Sequence, residues 1–202
     1  MGNYISASEV KQYSNIAYQD LGFASETEYE GFLDNLINQV EAVIDDYCRV
    51  PHGFFRAGGL SFTEIHDWDE DGEIHTHYYP IITLTKVELD QAGYNQVADW
   101  TEISSNYYYA KKEYGIIKIV GKSPGHVENS VRITYTAGYS AVPEDIKTAA
   151  LTLANNMLKN LLFSDEIRIG DLTIEPQIPE EVFTAEVKML LAQYKRRLAS
   201  AQ

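Results

Sequence analysis

Three stretches of the sequence carry residue types that could bind or react. Gly121-Lys122-Ser123 has the ending of a phosphate-binding loop, in which backbone N–H groups and a lysine cradle phosphate at the start of a helix. The preceding glycine, Gly115, stands one residue too far away, and Pro124 and Gly125 oppose a helix there, so a turn is expected. Asp67, Asp69, Asp71 and Gly72 reproduce the first half of a calcium loop, with carboxylates at alternate positions and a glycine for the sharp bend. Its twelfth position, which calls for a bidentate Glu, is Tyr78, and its flanks read as strands, so the acidic tip is expected to be a solvated hairpin turn. His66, His75 and His77 crowd the same hairpin, with His75 and His77 on one strand face. Three imidazoles suit zinc, but spacing fixes no carboxylate or thiol partner for them, and surface or cross-strand pairing is expected instead. No metal ligand is predicted.

A nucleophile elbow, a Cys–His couple, an H-E-x-x-H helix and a glycine-rich dinucleotide turn are all missing from the sequence. No catalytic residue and no cofactor follow from it, and the chain reads as a non-enzyme. The lone Cys48 can form no internal disulfide and lies on an apolar helical face, where it reads as core.

The elements that must position these groups run helix, strand, helix. Ser6 and Glu9 have capping-box spacing ahead of a short helix from about Ala7 to Ala17, with Val10, Tyr13 and Ile16 inward and Gly22 closing it. Ser25 and Glu28 repeat the box before a helix of about 22 residues. Its apolar positions, Tyr29, Phe32, Leu33, Leu36, Ile37, Val40, Val43, Ile44 and Tyr47, recur at three and four, and its other face is acidic through Glu30, Asp34, Glu41 and Asp45. From Phe54 to Tyr139 the period changes to two and turn signals recur, which predicts five to seven short antiparallel strands. Pro143 opens the next helix, apolar on two sides: Ile146, Ala149, Ala150, Leu153, Met157 and Leu161 on one, Leu151, Ala154, Leu158 and Leu162 on the other. Ser164 to Gln177 reads as a loop in which Ile167, Ile169, Leu172 and Ile174 alternate with other residues in the manner of a hairpin. Pro179 opens a last amphipathic helix. The fold class is therefore α+β, a helical bundle of two N-terminal and two C-terminal helices with an inserted antiparallel β region. The whole is one domain over 1–202, helical in 1–50 and 143–202 and β-rich in 54–139.

The size, 202 residues, fits one sizeable core, and 45% hydrophobic with 23% charged residues is ordinary globular composition. Uncharged stretches fall far short of the ~20 apolar residues of a membrane helix, so no membrane partner is expected. The net charge of −14 argues against a protein whose main affinity is for nucleic acid. The charge is concentrated N-terminally, with 9 acids against 2 bases in residues 1–49, whereas Lys195, Arg196 and Arg197 stand near the C-terminus without a neighbouring acid.

The order of SASEVKQY, FLDNLINQVEAVIDDYCR, YYPIITLTKVELD and, above all, VRITYTAGYSAVPEDIKTAALTLANNML resembles the head-tail connector (adaptor) proteins of tailed bacteriophages and related viruses. In that family a strand ending in a Tyr-Thr-Ala-Gly-Tyr type sequence leads through Val-Pro into a helix with Ile and Ala at this spacing. The resemblance spans about residues 4–163. It implies a non-enzymatic virion protein, made in the host cytoplasm and placed in the neck. There it would form a homo-oligomeric ring, typically dodecameric, between the portal protein and the stopper or tail completion protein, around the channel through which DNA passes. Minimal connectors are nearly all helical, so the long strand region is a departure from the family pattern. The alternative is a monomeric protein- or glycan-binding module with a β-rich binding face.

The final helix presents Phe183, Val187, Leu190, Leu191, Tyr194 and Leu198 on one side and ends in Lys195, Arg196 and Arg197. A terminal amphipathic helix reached through a long loop can lie in a neighbour's groove. These residues are expected to dock residues 179–202 on the portal or an adjacent subunit, the apolar stripe giving affinity and the bases orientation. The bland reading packs the helix on its own domain.

Overall fold

Three of the four α-helices among the described residues start where a short polar side chain takes an orphan amide. The computed structural model describes residues 2–94, 96–163 and 183–196. Ser6 caps α1 (Ala7–Ser14) in a complete capping box with Glu9, and Ser25 Oγ accepts from the Glu28 amide at the head of α2 (Glu26–Cys48). α3 (Glu144–Phe163) follows Pro143, whose carbonyl accepts from the Lys147 amide at 3.1 Å. Thr184 caps α4 (Ala185–Leu191), which tightens into a 3-10 turn over Ala192–Tyr194.

Two boundaries differ from expectation. α1 stops at Asn15, which adopts the left-handed conformation with φ 54°, and Gly22 instead closes a separate 3-10 turn, Tyr18–Leu21. Asn tolerates that conformation and so ends the helix early; of the inward set only Val10 is buried, and Tyr13 is 49% exposed. The last helix begins at Ala185. Pro179, Arg197, Leu198 and the hairpin residues Ile167, Ile169, Leu172 and Ile174 lie outside the described residues.

The chain divides into two compact units, one built from the chain up to Ala57 together with that from Val142 onward, the other Gly58–Ala141. In the helical unit α1, α2 and α4 pack against α3. Ile146, Ala149, Ala150, Leu153, Ala154 and Leu158 of α3 are fully buried, because its two apolar stripes meet neighbours on both sides. Leu151, Met157 and Leu161 are half-buried, and Leu162 is exposed. Phe54 and Phe55, at the head of the strand-rich stretch of sequence, are buried in this unit.

The second unit holds seven strands among the described residues, all paired antiparallel, so the molecule is α+β. One sheet has the order β1 (Leu60–His66), β7 (Val131–Ala137), β3 (Ile81–Asp90), β4 (Trp100–Glu102). The other has the order β2 (Glu73–His75), β6 (Ile116–Ile119), β5 (Tyr108–Lys111). β7 is central in its sheet. Val131, Ile133, Tyr135 and Ala137 alternate inward and are fully buried, the period-two pattern of a half-buried strand. Gly115 precedes β6 at φ 67°, where a Cβ would stand 2.5 Å from Thr76 Oγ1, so the position requires glycine.

Candidate functional site

Four groups of side chains carry a functional reading, on α2, in the C-terminal segment, in the turn between β1 and β2, and around Glu64 of β1. The first lies on α2. Glu41 and Asp45, expected on the solvated acidic face, are buried instead, at 4% and 1% exposure. Their partners come from outside the helix. Glu41 accepts from the Asn3 amide (2.9 Å) and the Tyr4 amide (2.7 Å), while Asp45 accepts from the Tyr4 hydroxyl and the Gly53 amide (2.9 Å). These bonds fasten the N-terminal segment and the turn after α2 to one helix face, and they satisfy carboxylates that burial would otherwise penalise. Gly2 belongs to the same anchor, since a Cβ there would meet Ile37 and Glu41 within 2.5 Å. Burial raises the Asp45 carboxyl to about 6 despite these bonds and His52 beside it. Burial also raises the Tyr4 hydroxyl, with the Asp45 charge adding to the effect. Cys48, one turn on, is buried, and burial pushes its thiol up to about 12, which makes it an inert core residue.

The C-terminal segment is the second group. Val187 and Leu191 are fully buried inside the helical unit, and Phe183 meets Tyr47 with ring centroids 4.9 Å apart. Tyr194 meets Phe55 edge-on at 5.5 Å, and its hydroxyl lies 3.4 Å from Asp145. The Arg196 amide donates to the Cys48 carbonyl (3.0 Å), and Lys195 sits over the Tyr47 ring. The stripe expected to face a partner is thus largely occupied within its own chain. Leu190 is half-buried, and Met189 and Lys195 are exposed.

The third group is the acidic turn between β1 and β2. Asp69 Oδ1 accepts from the Asp71 and Gly72 amides, and Asp67 Oδ1 accepts from the Asn129 amide at 2.7 Å. These carboxylates shape the turn through backbone donors. Gly121, at φ 69°, leads out of β6 into irregular chain rather than a helix, and Lys122 lies over the Tyr107 ring.

The histidines form the fourth group, but not as a trio. β2 ends at His75, which is exposed and pairs with Glu73 (3.3 Å). His66 on β1 and His77 in the connection to β3 converge on Glu64, with His66 Nε2 and His77 Nδ1 each 2.9 Å from Glu64 Oε2. The two rings stack at 5.4 Å. The Tyr135 hydroxyl donates to Glu64 Oε1, and the His77 amide donates to Oε2 at 3.0 Å. Burial raises the Glu64 pKa, but the bonds from His66, Tyr135 and His77 outweigh it and hold the carboxyl at about 2. Sequence reasoning missed Glu64. The available signal was its position two residues before His66, which puts both on one face of β1.

The fold as a whole has close likenesses in particle necks. It superposes on a chain of the structure described as "Neck of empty GTA particle computed with C6 symmetry" with a TM-score of 0.57 and 18% identity, over 98% of this chain and 93% of that one. A chain of the native gene transfer agent virion gives 0.56 and 17%, over 98% and 93%. A chain of the native neck computed with C12 symmetry gives 0.51 and 15%, over 100% and 98%. No curated protein sequence matches the chain significantly. The fold is thus shared with chains of gene transfer agent particles. The family model described as "Head completion protein" matches residues 3–197, and the chain belongs to that family. It is a structural head-tail connector of the virion neck, as the resemblance centred on VRITYTAGYSAVPEDI implied.

Proposed function

We propose that the chain assembles into a homo-oligomeric ring, of twelve copies, seated between the portal protein and the stopper or tail completion protein and surrounding the path of the DNA. The reading rests on the family match over residues 3–197, and the likeness to a neck chain in a particle computed with C12 symmetry supports the copy number. The net charge of −14 suits a conduit, because an acidic wall repels phosphate and lets DNA slide. No catalytic step belongs to this role. The monomeric binding-module alternative draws no support from the family.

Docking on the portal or an adjacent subunit by the C-terminal segment is part of the proposal, in a narrower form than the sequence suggests. Val187 and Leu191 are engaged within the chain, so a partner would meet the exposed Met189 and Lys195, the half-buried Leu190 and Arg196, and Arg197 beyond them. Electron microscopy of the full chain co-expressed with its portal tests the whole reading. A stacked second ring of twelvefold symmetry is expected; bare portals with the chain left monomeric in the supernatant overturn it.

A further inference from the structure

We propose that Glu64, His66 and His77 form a binding site for one divalent cation of the zinc class, a role that nothing in the connector function requires. Two imidazole nitrogens and a carboxylate oxygen are the ligand set of three-residue zinc sites, with water completing the tetrahedron. Here those three atoms lie within 4.8 Å of one another. Around zinc, with bonds of about 2.0–2.1 Å, tetrahedral ligand atoms stand about 3.3 Å apart. The 2.9 Å contacts to each imidazole therefore open by about 0.4 Å, and the two imidazole nitrogens close by at most about 1.5 Å.

The surroundings are built to hold the ligands. Glu64 and His66 sit two apart on β1, with side chains 10% and 14% exposed, so the strand fixes both. The other Glu64 oxygen is held by the Tyr135 hydroxyl, and Tyr135 in turn accepts from the Tyr78 amide (3.1 Å). Such outer partners orient metal ligands and keep them charged. His77 is the adjustable member, with its side chain 69% exposed, which leaves an open side for the ion and its water.

One oxygen, Glu64 Oε2, now faces three groups: the His66 ring, the His77 ring and the His77 amide. A carboxylate oxygen offers about two lone-pair sites, so three donors over-subscribe it. With a cation bound, the imidazoles turn lone pairs toward the ion and the amide keeps its acceptor. The bound ion would tie β1 to the connection between β2 and β3, joining the two sheets of the β unit at one point.

The test is calorimetric titration of Zn²⁺ into the tag-free, chelator-treated full chain, with Co²⁺ absorption reporting ligand geometry. One equivalent of Zn²⁺ is expected to bind, with a tetrahedral Co²⁺ spectrum. His77→Ala, at an exposed position where folding is not at risk, is expected to weaken binding at least tenfold, and Glu64→Gln likewise. His75→Ala, outside the cluster, is expected to leave it unchanged. The proposal is overturned if the wild-type chain binds no Zn²⁺, or if His75→Ala weakens binding as much as His77→Ala, which would mark ordinary surface-histidine capture.

Discussion

The Tyr4 hydroxyl donates to Asp45 Oδ1 at 2.5 Å, joining residues 41 positions apart in the interior of the helical unit. Tyr4 →Phe removes that donor and leaves a buried carboxylate short of a partner. A loss of ~1–3 kcal/mol is expected in urea titration followed by helix ellipticity, the usual cost of an unsatisfied buried polar group. An unchanged midpoint would show that the Gly53 amide suffices for Asp45.

The same carboxylate sets a pH dependence. Its folded pKa is raised to about 6 from an ordinary value of 3.8. Between those values the folded state holds a proton that the unfolded chain releases, so this group's contribution to stability falls as pH rises through the window. The wild-type urea midpoint is expected to drop relative to Asp45→Asn between pH ~4 and ~6 and to run parallel with it above that. A wild-type curve that gains on Asp45→Asn across the window contradicts the buried, proton-holding carboxylate.

Leu153 is fully buried on α3, whereas Leu162 on the same helix is exposed. Leu153→Ala is expected to cost ~2–5 kcal/mol by lost transfer energy and cavity formation. Leu162→Ala should stay within ~0.5 kcal/mol in the monomer. Chemical denaturation of both variants side by side reads the difference, and equal losses would refute the burial pattern of α3.

Arg132 on β7 forks onto Glu88 of β3, with Nε 2.7 Å from Oε2 and a terminal nitrogen 2.6 Å from Oε1, and its guanidinium lies 4.5 Å from the centre of the Trp100 ring. The guanidinium holds the Glu88 carboxyl below its ordinary range. A lysine keeps the charge but cannot make the planar two-point contact or the stack. Arg132→Lys is expected to lower β-unit stability by ~1–2 kcal/mol, because Glu88 is buried and loses one of its bonds. Hydrogen exchange at the β3 and β7 amides is the readout, and unaltered protection would count against the contact.

Sequence reading went furthest where one element fixes its own pattern. The Ser25 cap and the apolar three–four spacing place α2 nearly to the residue, and the alternation from Val131 to Tyr135 marks β7, which runs two residues further, to Ala137. It failed where a partner arrives from a distant part of the chain. Glu41 and Asp45 recur at the same spacing as solvated acids, and nothing local shows that residues 3, 4 and 53 will cover them. The three histidines look equivalent on paper. The strand end at His75 and the bend after it separate His75 from the others, and the β1–β7 pairing brings Tyr135 against Glu64. The fold class and the neck role were legible because they rest on local runs such as VRITYTAGYSAVPED; the Glu64 cluster was not, because it is a product of tertiary registry.

β1 and β7 are the first and last strands of the β unit, and they pair antiparallel from Leu60↔Ala137 to His66↔Val131. The chain therefore comes into the unit and leaves it at one end of a single strand pair, where the Gly58 amide also donates to the Tyr139 carbonyl at 3.0 Å. Antiparallel bonds run perpendicular to the strands. A force that pulls the two connections apart loads those bonds one after another, like the teeth of a zipper, beginning at Gly58 and travelling toward His66. Tension directed along the strands is shared by the whole row at once. The unit is mechanically soft at its root and stiff along its length, so the direction of a load, more than its size, decides whether it peels.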